Sequence, residues 1–311
     1  MKAFVDALAF HARVRNRELL EKDILLHSIL GILMEDPVLR RDLLLKGGTC
    51  LCKCYLDYYR FSEDLDFTWK APAPWFGMGS KELRRVVKKP RERITAKVRR
   101  ISETRGLRLE REGGEDIEFG RSGQMVGYRL RYESEVTGTE SSVRIQVNML
   151  DPMLFPSRAV AASSLISGKT PEPLRFLDAE RTAEYERRIE LKAYAPEEIL
   201  AEKARAVLTR QAAKIRDVVD LYFLEKSLGL RVADFADAIA RKTMFMVTRH
   251  ARYRREFERA SDRFEALVGE DPSKIMLRPL DEGEFSSFRT ELLAELDEQR
   301  KRIADAPASG G

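Results

Sequence analysis

Asp64 and Asp66 lie two residues apart in the stretch Phe61–Trp69, F-S-E-D-L-D-F-T-W. In an extended strand successive side chains point to opposite faces. The two carboxylates therefore project together, while Leu65 and Phe67 project the other way. Such a pair offers hard oxygen ligands suited to Mg²⁺. Upstream, Leu43–Leu45 reads as the end of a buried strand, Gly47-Gly48 as a tight break and Thr49 as a helix N-cap. A helix of about three turns then leads to the carboxylate strand. The free N–H groups and the dipole at such a helix start favour a triphosphate. Alone, a D-x-D on a strand is usually a solvated face, and a G-G-T signals even less. Their order and the helix-length spacer between them make the combination a phosphate-plus-metal arrangement.

The elements that must position these groups follow from periodicity. Residues 1–41 read as helical, with Leu19, Leu20, Ile24, Leu25, Ile29, Leu30 and Leu33 at helical spacing and Asp36-Pro37 as a break. Glu21-Lys22-Asp23 reads as the exposed, charged side of that amphipathic helix. A basic helix, Ser80–Thr104, follows the carboxylate strand, with Pro90 as a point of division and Gly106 as its end. Leu107–Arg111 reads as a strand and Gly113-Gly114 as a turn. Tyr128–Glu133 and Ser142–Leu150 alternate as half-buried strands. The second half is helical at Pro196–Leu224, Val232–Phe264 and Glu284–Ile303. The fold class is α+β, a mixed sheet with helices in the N-terminal half and an α-helical bundle in the C-terminal half.

With 311 residues, 43% apolar and 34% charged, the chain can bury one large core or two modest ones. No apolar run approaches the roughly 20 residues of a membrane span, and no secretory signal order is seen. A cytoplasmic protein without membrane contact is expected. Cys50, Cys52 and Cys54 read as reduced, largely buried thiols rather than zinc ligands or a disulfide. The net charge is only +5, but Lys81–Arg111 holds thirteen Lys/Arg against four Glu. That segment 81–111 is a candidate polyanion surface, with a solvated helix face as its ordinary alternative.

A second constellation lies in Glu197–Leu224, E-E-I-L-A-E-K-A-R-A-V-L-T-R-Q-A-A-K-I-R-D-V-V-D-L-Y-F-L. Lys203 falls close to the apolar side marked by Ile199, Leu200, Ala204, Val207 and Leu208. There it snorkels, is salt-bridged within the fold, or points at something anionic.

The order G-G-T, spacer, S-x-D-x-D is that of the nucleotidyltransferase superfamily. The fuller text K-G-G-T…R-x-S-E-D-L-D-F resembles its AbiEii/AbiGii branch, the nucleotidyltransferase toxins of bacterial toxin–antitoxin systems, which include the MenT group. Glu198, Lys203, Ala206, Arg210, Arg216, Asp217 and Asp220 are similar to the second-domain signature of that family. Composition and periodicity divide the chain into a core domain at 1–160, a connection at 161–195, a helical domain at 196–304 and a flexible tail at 305–311. The resemblance makes the first a nucleotidyltransferase core and the helical domain the one completing the site. It implies Asp64 and Asp66 as catalytic metal ligands for Mg²⁺, with Mn²⁺ as the alternative. Gly47, Gly48, Thr49, Ser62 and Lys203 would contact the nucleotide phosphates. Lys46 either joins them or stays on the surface. Asp217 is catalytic or structural near the triphosphate, and Arg210 is a phosphate contact or a partner of Asp217 or Asp220.

The activity so implied is Mg-dependent transfer of a nucleoside monophosphate from an NTP to an acceptor, by resemblance the tRNA 3′ end. Translation would be blocked, segment 81–111 would dock the RNA, and a cognate antitoxin would be the protein partner. Many members carry a third carboxylate on a later strand; Ser142–Leu150 presents Gln146 and Asn148 instead. An amide ligates metal or orients a hydroxyl but takes no proton at neutral pH. Two other readings stand beside the first: a transferase acting on a small molecule or protein, and a weakly catalytic nucleotide- or RNA-binding module.

Overall fold

The computed structural model describes residues 1–109, 116–120, 124–212, 214–268 and 270–305. The turn read at Gly113-Gly114, the end of the strand read at Leu107–Arg111 and the tail beyond Asp305 lie outside them. Within that strand, Arg108 makes a single bridge to Arg131. The chain divides into two compact units: Met1–Asp151 with Ser157–Tyr194, and Pro152–Pro156 with Ala195–Gly311.

Unit 1 is built on one seven-stranded sheet. Its strands are β1 (Leu43–Lys46), β2 (Asp64–Trp69), β3 (Ile117–Phe119), β4 (Met125–Glu133), β5 (Glu140–Asn148), β6 (Arg158–Ala162) and β7 (Ile189–Ala193). They run in the order β3-β4-β5-β2-β1-β7-β6. β2 is central, antiparallel to β1 and parallel to β5. Its helices are α1 (Lys2–Ala12), α2 (Arg17–Met34), α3 (Pro37–Asp42), α4 (Gly47–Cys50), α5 (Ser80–Thr104), α6 (Glu172–Leu177) and α7 (Ala179–Glu186). The predicted break at Asp36-Pro37 starts α3, where the Asp36 carboxylate accepts from the Val38 and Leu39 N–H groups and Pro37 takes the first turn.

Strand alternation gives the sheet one apolar and one polar face. Leu43 and Leu45, Leu65 and Phe67, and Val143, Ile145 and Val147 are all buried. α2 and α5 pack on the sheet. α5 turns Leu83, Val87, Ile94, Val98 and Ile101 inward, at the helical spacing that makes one stripe. Pro90 does not divide it: the helix runs through Pro90 from Ser80 to Thr104, because the apolar stripe continues on both sides of the lost N–H.

Two expectations change. The stretch 161–195, read as a connection, contains α6, α7 and β7, and the boundary at 160 cuts through β6. β7 pairs in parallel with β1, so this stretch completes the sheet. Glu21 and Asp23 are not exposed; each is 2% accessible. Partners far away in sequence receive both carboxylates.

Unit 2 is helical: α8 (Pro196–Thr209), α9 (Ile215–Leu228), α10 (Ala236–Arg249), α11 (Ala251–Glu258), α12 (Phe264–Val268) and α13 (Glu282–Asp305). α8 packs against α9, α10, α11 and α13. Tyr222 of α9 meets Phe285 and Phe288 of α13 edge-on, at centroid distances of 5.5 and 5.2 Å. Among the described residues no helix is long and apolar enough to cross a membrane.

Candidate active site

The polar face of the sheet carries the carboxylates. Register places Lys46, Asp66 and Gln146 side by side across β1, β2 and β5, and Asp64 beside Arg144. Directly paired residues share a face, so the two aspartates stand among Lys46, Arg144 and Gln146. Both are half-buried. Among the described residues no group of three or more His, Cys, Asp or Glu side chains forms a metal cluster. Two carboxylates are still what a Mg²⁺ ion commonly takes from protein, the remaining positions going to water and substrate phosphates.

The glycine break is pressed against this pair. Gly47 has a left-handed φ of 72°, and a Cβ there would stand 3.0 Å from the Asp66 Oδ2 atom. A Cβ on Gly48 would fall within the Arg60 guanidinium and 3.1 Å from the Ser62 hydroxyl. Gly47 is thus required by conformation and by close approach, and Gly48 by close approach alone. Thr49 does not cap the helix: α4 starts at Gly47, with Lys46 in the cap position and no side-chain cap bond. The buried Thr49 hydroxyl donates instead to the backbone carbonyl of Asp64, tying the helix to the carboxylate strand. α4 then widens into a π-helical turn, Leu51–Tyr55.

Lys46 is no surface residue. It is 8% accessible, its ammonium lies 2.6 Å from the Asp151 carboxylate, and it stands over the Tyr194 ring at 5.3 Å. The Tyr194 hydroxyl donates to Thr68 Oγ1 at 2.8 Å and lies 3.1 Å from Asp151. Asp151 and Arg60 are the positions the sequence reading missed. Arg60 is buried and donates to the Phe61 carbonyl at 2.6 Å. Its signal was the fixed R-x-S spacing to Ser62. Asp151 lies just past the end of β5, so strand alternation could not place it.

A buried charge cluster holds the chain entering β2. The Asp23 carboxylate of α2 lies 2.7 Å from the Lys53 ammonium and accepts from Tyr58 at 2.9 Å and Tyr185 at 2.6 Å. Lys53 also donates to the Tyr58 oxygen. Burial first, then the Asp23 charge, pushes both phenols well above their ordinary range, so they stay donors. Asp57 and Tyr58 both have left-handed φ, 47° and 49°, a conformation that costs a non-glycine residue about 1–2 kcal/mol. The Tyr58 hydrogen bonds hold it there. Glu21 accepts from the Glu135 backbone N–H at 2.9 Å and from the Ser134 hydroxyl at 2.5 Å. Cys50, Cys52 and Cys54 form no disulfide, and burial pushes the Cys50 thiol well above its usual range.

In unit 2, Lys203 neither snorkels nor stands open. Its ammonium lies 2.6 Å from Asp217 and 2.6 Å from Asp220, both fully buried. Arg210 also pairs with Asp217. Burial alone would raise the Asp217 carboxyl, but Lys203 and Arg210 outweigh it and hold it below the ordinary carboxylate range. Glu198 caps the backbone N–H groups of Leu154 and Phe155 at 2.8 and 2.7 Å and pairs with the buried Lys242 at 2.5 Å.

The family model described as nucleotidyl transferase AbiEii toxin, type IV TA system, matches residues 29–307. The chain belongs to the AbiEii nucleotidyltransferase toxins. The match takes in both the sheet carrying Asp64 and Asp66 and the helices carrying Lys203 and Asp217. This AbiEii chain is similar in fold to MenT4, a nucleotidyltransferase toxin from Mycobacterium tuberculosis, with 18% identity, a TM-score of 0.53, and 99% of this chain and 94% of that one covered. JHP933 from Helicobacter pylori aligns with 16% identity, a TM-score of 0.46, and coverage of 93% and 94%. No curated protein matches in sequence.

The basic segment of the AbiEii chain is, over its described residues, mostly one face of α5. Lys81, Arg84, Arg85, Lys89 and Arg100 are exposed and make no ion pair among the described residues. Arg93 differs: it is held by Asp36 at 2.9 Å.

Proposed function

We propose that this toxin transfers a nucleoside monophosphate from an NTP to the 3′ end of a tRNA, with Mg²⁺ bound, and thereby blocks translation. The observation that supports this most is the Asp64/Asp66 pair on a central strand with the Gly47 backbone pressed against Asp66. Asp64 and Asp66 are the ligands for the ion, which would supply charge neutralisation at the phosphates. Gly47 brings the main chain into close approach with Asp66, and Gly48 and Ser62, whose hydroxyl is a donor beside it, are assigned to the phosphates. Thr49 keeps Asp64 in place through its main chain. The Asp151 carboxylate fixes the Lys46 ammonium on the same sheet face as Asp66, and Lys46 is assigned to the phosphates from that position. The free cations of α5 suit an RNA backbone, and binding there should weaken steeply with salt.

For the second constellation we infer a positioning role. Asp217, held ionised by Lys203 and Arg210, is a poor proton acceptor and serves to orient Lys203. Lys203 and Arg210 are assigned to nucleotide phosphates by the family resemblance of their segment. The type IV family supports a cognate antitoxin as partner, and we propose a cytoplasmic setting.

The test is label transfer. Purified protein is incubated with Mg²⁺, each α-labelled NTP in turn and total tRNA, beside Asp64→Ala. Label on tRNA from one NTP, absent with the variant, is the expected result. Label on protein or a small molecule would replace the acceptor. No label, with nucleotide binding intact, would favour a binding module in which Gln146 and Asn148 stand where a base is needed.

A further inference from the structure

The corner between α10 and α11 combines cations with aromatic rings. From Ala238 to Arg255 the sequence A-I-A-R-K-T-M-F-M-V-T-R-H-A-R-Y-R-R contains no Asp or Glu. Lys242 turns inward to Glu198, but Arg249, Arg252 and Arg255 are exposed and form no ion pair among the described residues. The Arg249 guanidinium lies over the half-buried Phe245 ring at 4.0 Å. Across the corner, His250 meets the half-buried Tyr253 edge-on at 5.7 Å.

The corner is also braced. His250 takes extended backbone angles between the two helices. Arg254 reaches back to the Val247 carbonyl at 3.3 Å, and Arg252 donates to Gln211 at 3.1 Å. Exposed arginines without acids serve phosphates. Arginine over one ring, with a second ring half-open nearby, also gives flat surfaces on which unpaired bases stack. α5 holds no Phe, Tyr or Trp among its own 25 residues; the ring beside it is Phe119 of β3, under Arg91 at 4.7 Å.

We propose that the α10–α11 corner binds an unpaired stretch of RNA, with Arg249, Arg252 and Arg255 on phosphates and Phe245 and Tyr253 under bases. This rests on the reading of the acceptor as RNA and narrows it to a substrate with a single-stranded segment.

The experiment is fluorescence anisotropy of the full chain with a labelled 12-nucleotide single-stranded RNA of mixed sequence and with the same RNA as a blunt duplex, over a salt series. The variants are R249Q/R252Q/R255Q and F245A/Y253A, with R84Q/R85Q on α5 for comparison and circular dichroism to confirm folding. The arginine variant is expected to weaken single-strand binding at least tenfold and to shallow the log–log salt slope by about 2. The ring variant should weaken it at least about fivefold with the slope unchanged, and leave duplex binding as it was. Should F245A/Y253A not fold, Y253F is the substitute reading, and it should bind as wild type because stacking needs the ring and not the hydroxyl. Unchanged single-strand binding in the arginine variant overturns the proposal. So does an equal loss for strand and duplex in the ring variant, or preference of the corner for anionic vesicles over RNA.

Label transfer separates the two readings. Corner-dependent strand binding without label on RNA removes the transferase acceptor and keeps this surface. Label on RNA that is indifferent to the corner variants does the reverse.

Discussion

Each unit buries a lysine against carboxylate, yet the two clusters are closed differently. In unit 1 one carboxylate, Asp23, meets one ammonium, Lys53, and two phenols complete the shell; the side chains of Asp23 and Lys53 are 3% and 1% accessible. In unit 2 two carboxylates, Asp217 and Asp220, share Lys203, and the balancing second cation is Arg210, whose side chain is 38% accessible. The first cluster is sealed: neither charge reaches solvent. The second has one member at the surface, able to exchange a carboxylate for another anion. A sealed cluster serves architecture, here the strained turn before β2. A cluster with an exposed arginine keeps a way for ligand charge to reach it.

The sharpest way to break this contrast is Lys53→Met. Removing one partner of a sealed buried pair leaves an uncompensated charge and should cost about 3–5 kcal/mol, read as a lower urea midpoint. A variant as stable as wild type would mean that the phenols alone neutralise Asp23.

Acidification probes the same cluster without mutation. His27 packs edge-on to Tyr185 at 5.4 Å and bonds through Nε2 to the Arg187 carbonyl at 2.9 Å. Burial, reinforced by the Lys53 charge, pushes its imidazole down to about 3. The unfolded chain takes a proton near the ordinary 6.5 that the native state refuses. Stability from this residue is therefore full above about pH 6.5 and falls as pH drops toward 3. About 3 kcal/mol should be lost by pH 4, and His27→Gln should flatten that part of a melting-temperature–pH profile.

In unit 2 the same kind of substitution should hurt less. Lys203→Met leaves Arg210 on Asp217, so a loss of about 2–3 kcal/mol is expected, with transfer activity falling much further than stability. Arg210→Gln should cost about 1 kcal/mol or less, as for a partly exposed pair. If Arg210→Gln raises the KM for NTP at nearly unchanged stability, the exposed arginine reaches the ligand. Equal losses for both substitutions would erase the distinction between the clusters.

Much of the frame was legible because local periodicity carries it. β1, β2, β4 and β5 alternate or run apolar, and the helices of unit 2 repeat at helical spacing. β6 was not, since R-A-V-A-A is short, Ala-rich and at the sheet edge, and β7 takes its partner β1 from far upstream. The buried charges of α2 were misread for a related reason. A helical stripe says which face is apolar, but only the distant Lys53, Tyr58, Tyr185 and Ser134 make the other face an interior.

At the site, Asp64, Asp66 and the glycines were legible by order. Their closeness was not, and neither was the bond from Thr49 to the Asp64 carbonyl. Gly47→Ala tests that closeness. It should cost about 1–2 kcal/mol for the left-handed backbone while reducing transfer far more, because the new methyl group displaces the Asp66 carboxylate.

The central place of β2 has a consequence for motion. From Asp66 to Thr68 the strand is laddered on both sides, by β1 and by β5. Its amides should then exchange with deuterium only through the largest openings of the sheet, while those of the edge strand β6 exchange by local fraying. Asp66 is thus mounted on some of the slowest-breathing backbone among the described residues, with Asp64 two residues before it and laddered by β5 alone. Whatever adjusts when a nucleotide arrives, the residues around that strand are the ones to move.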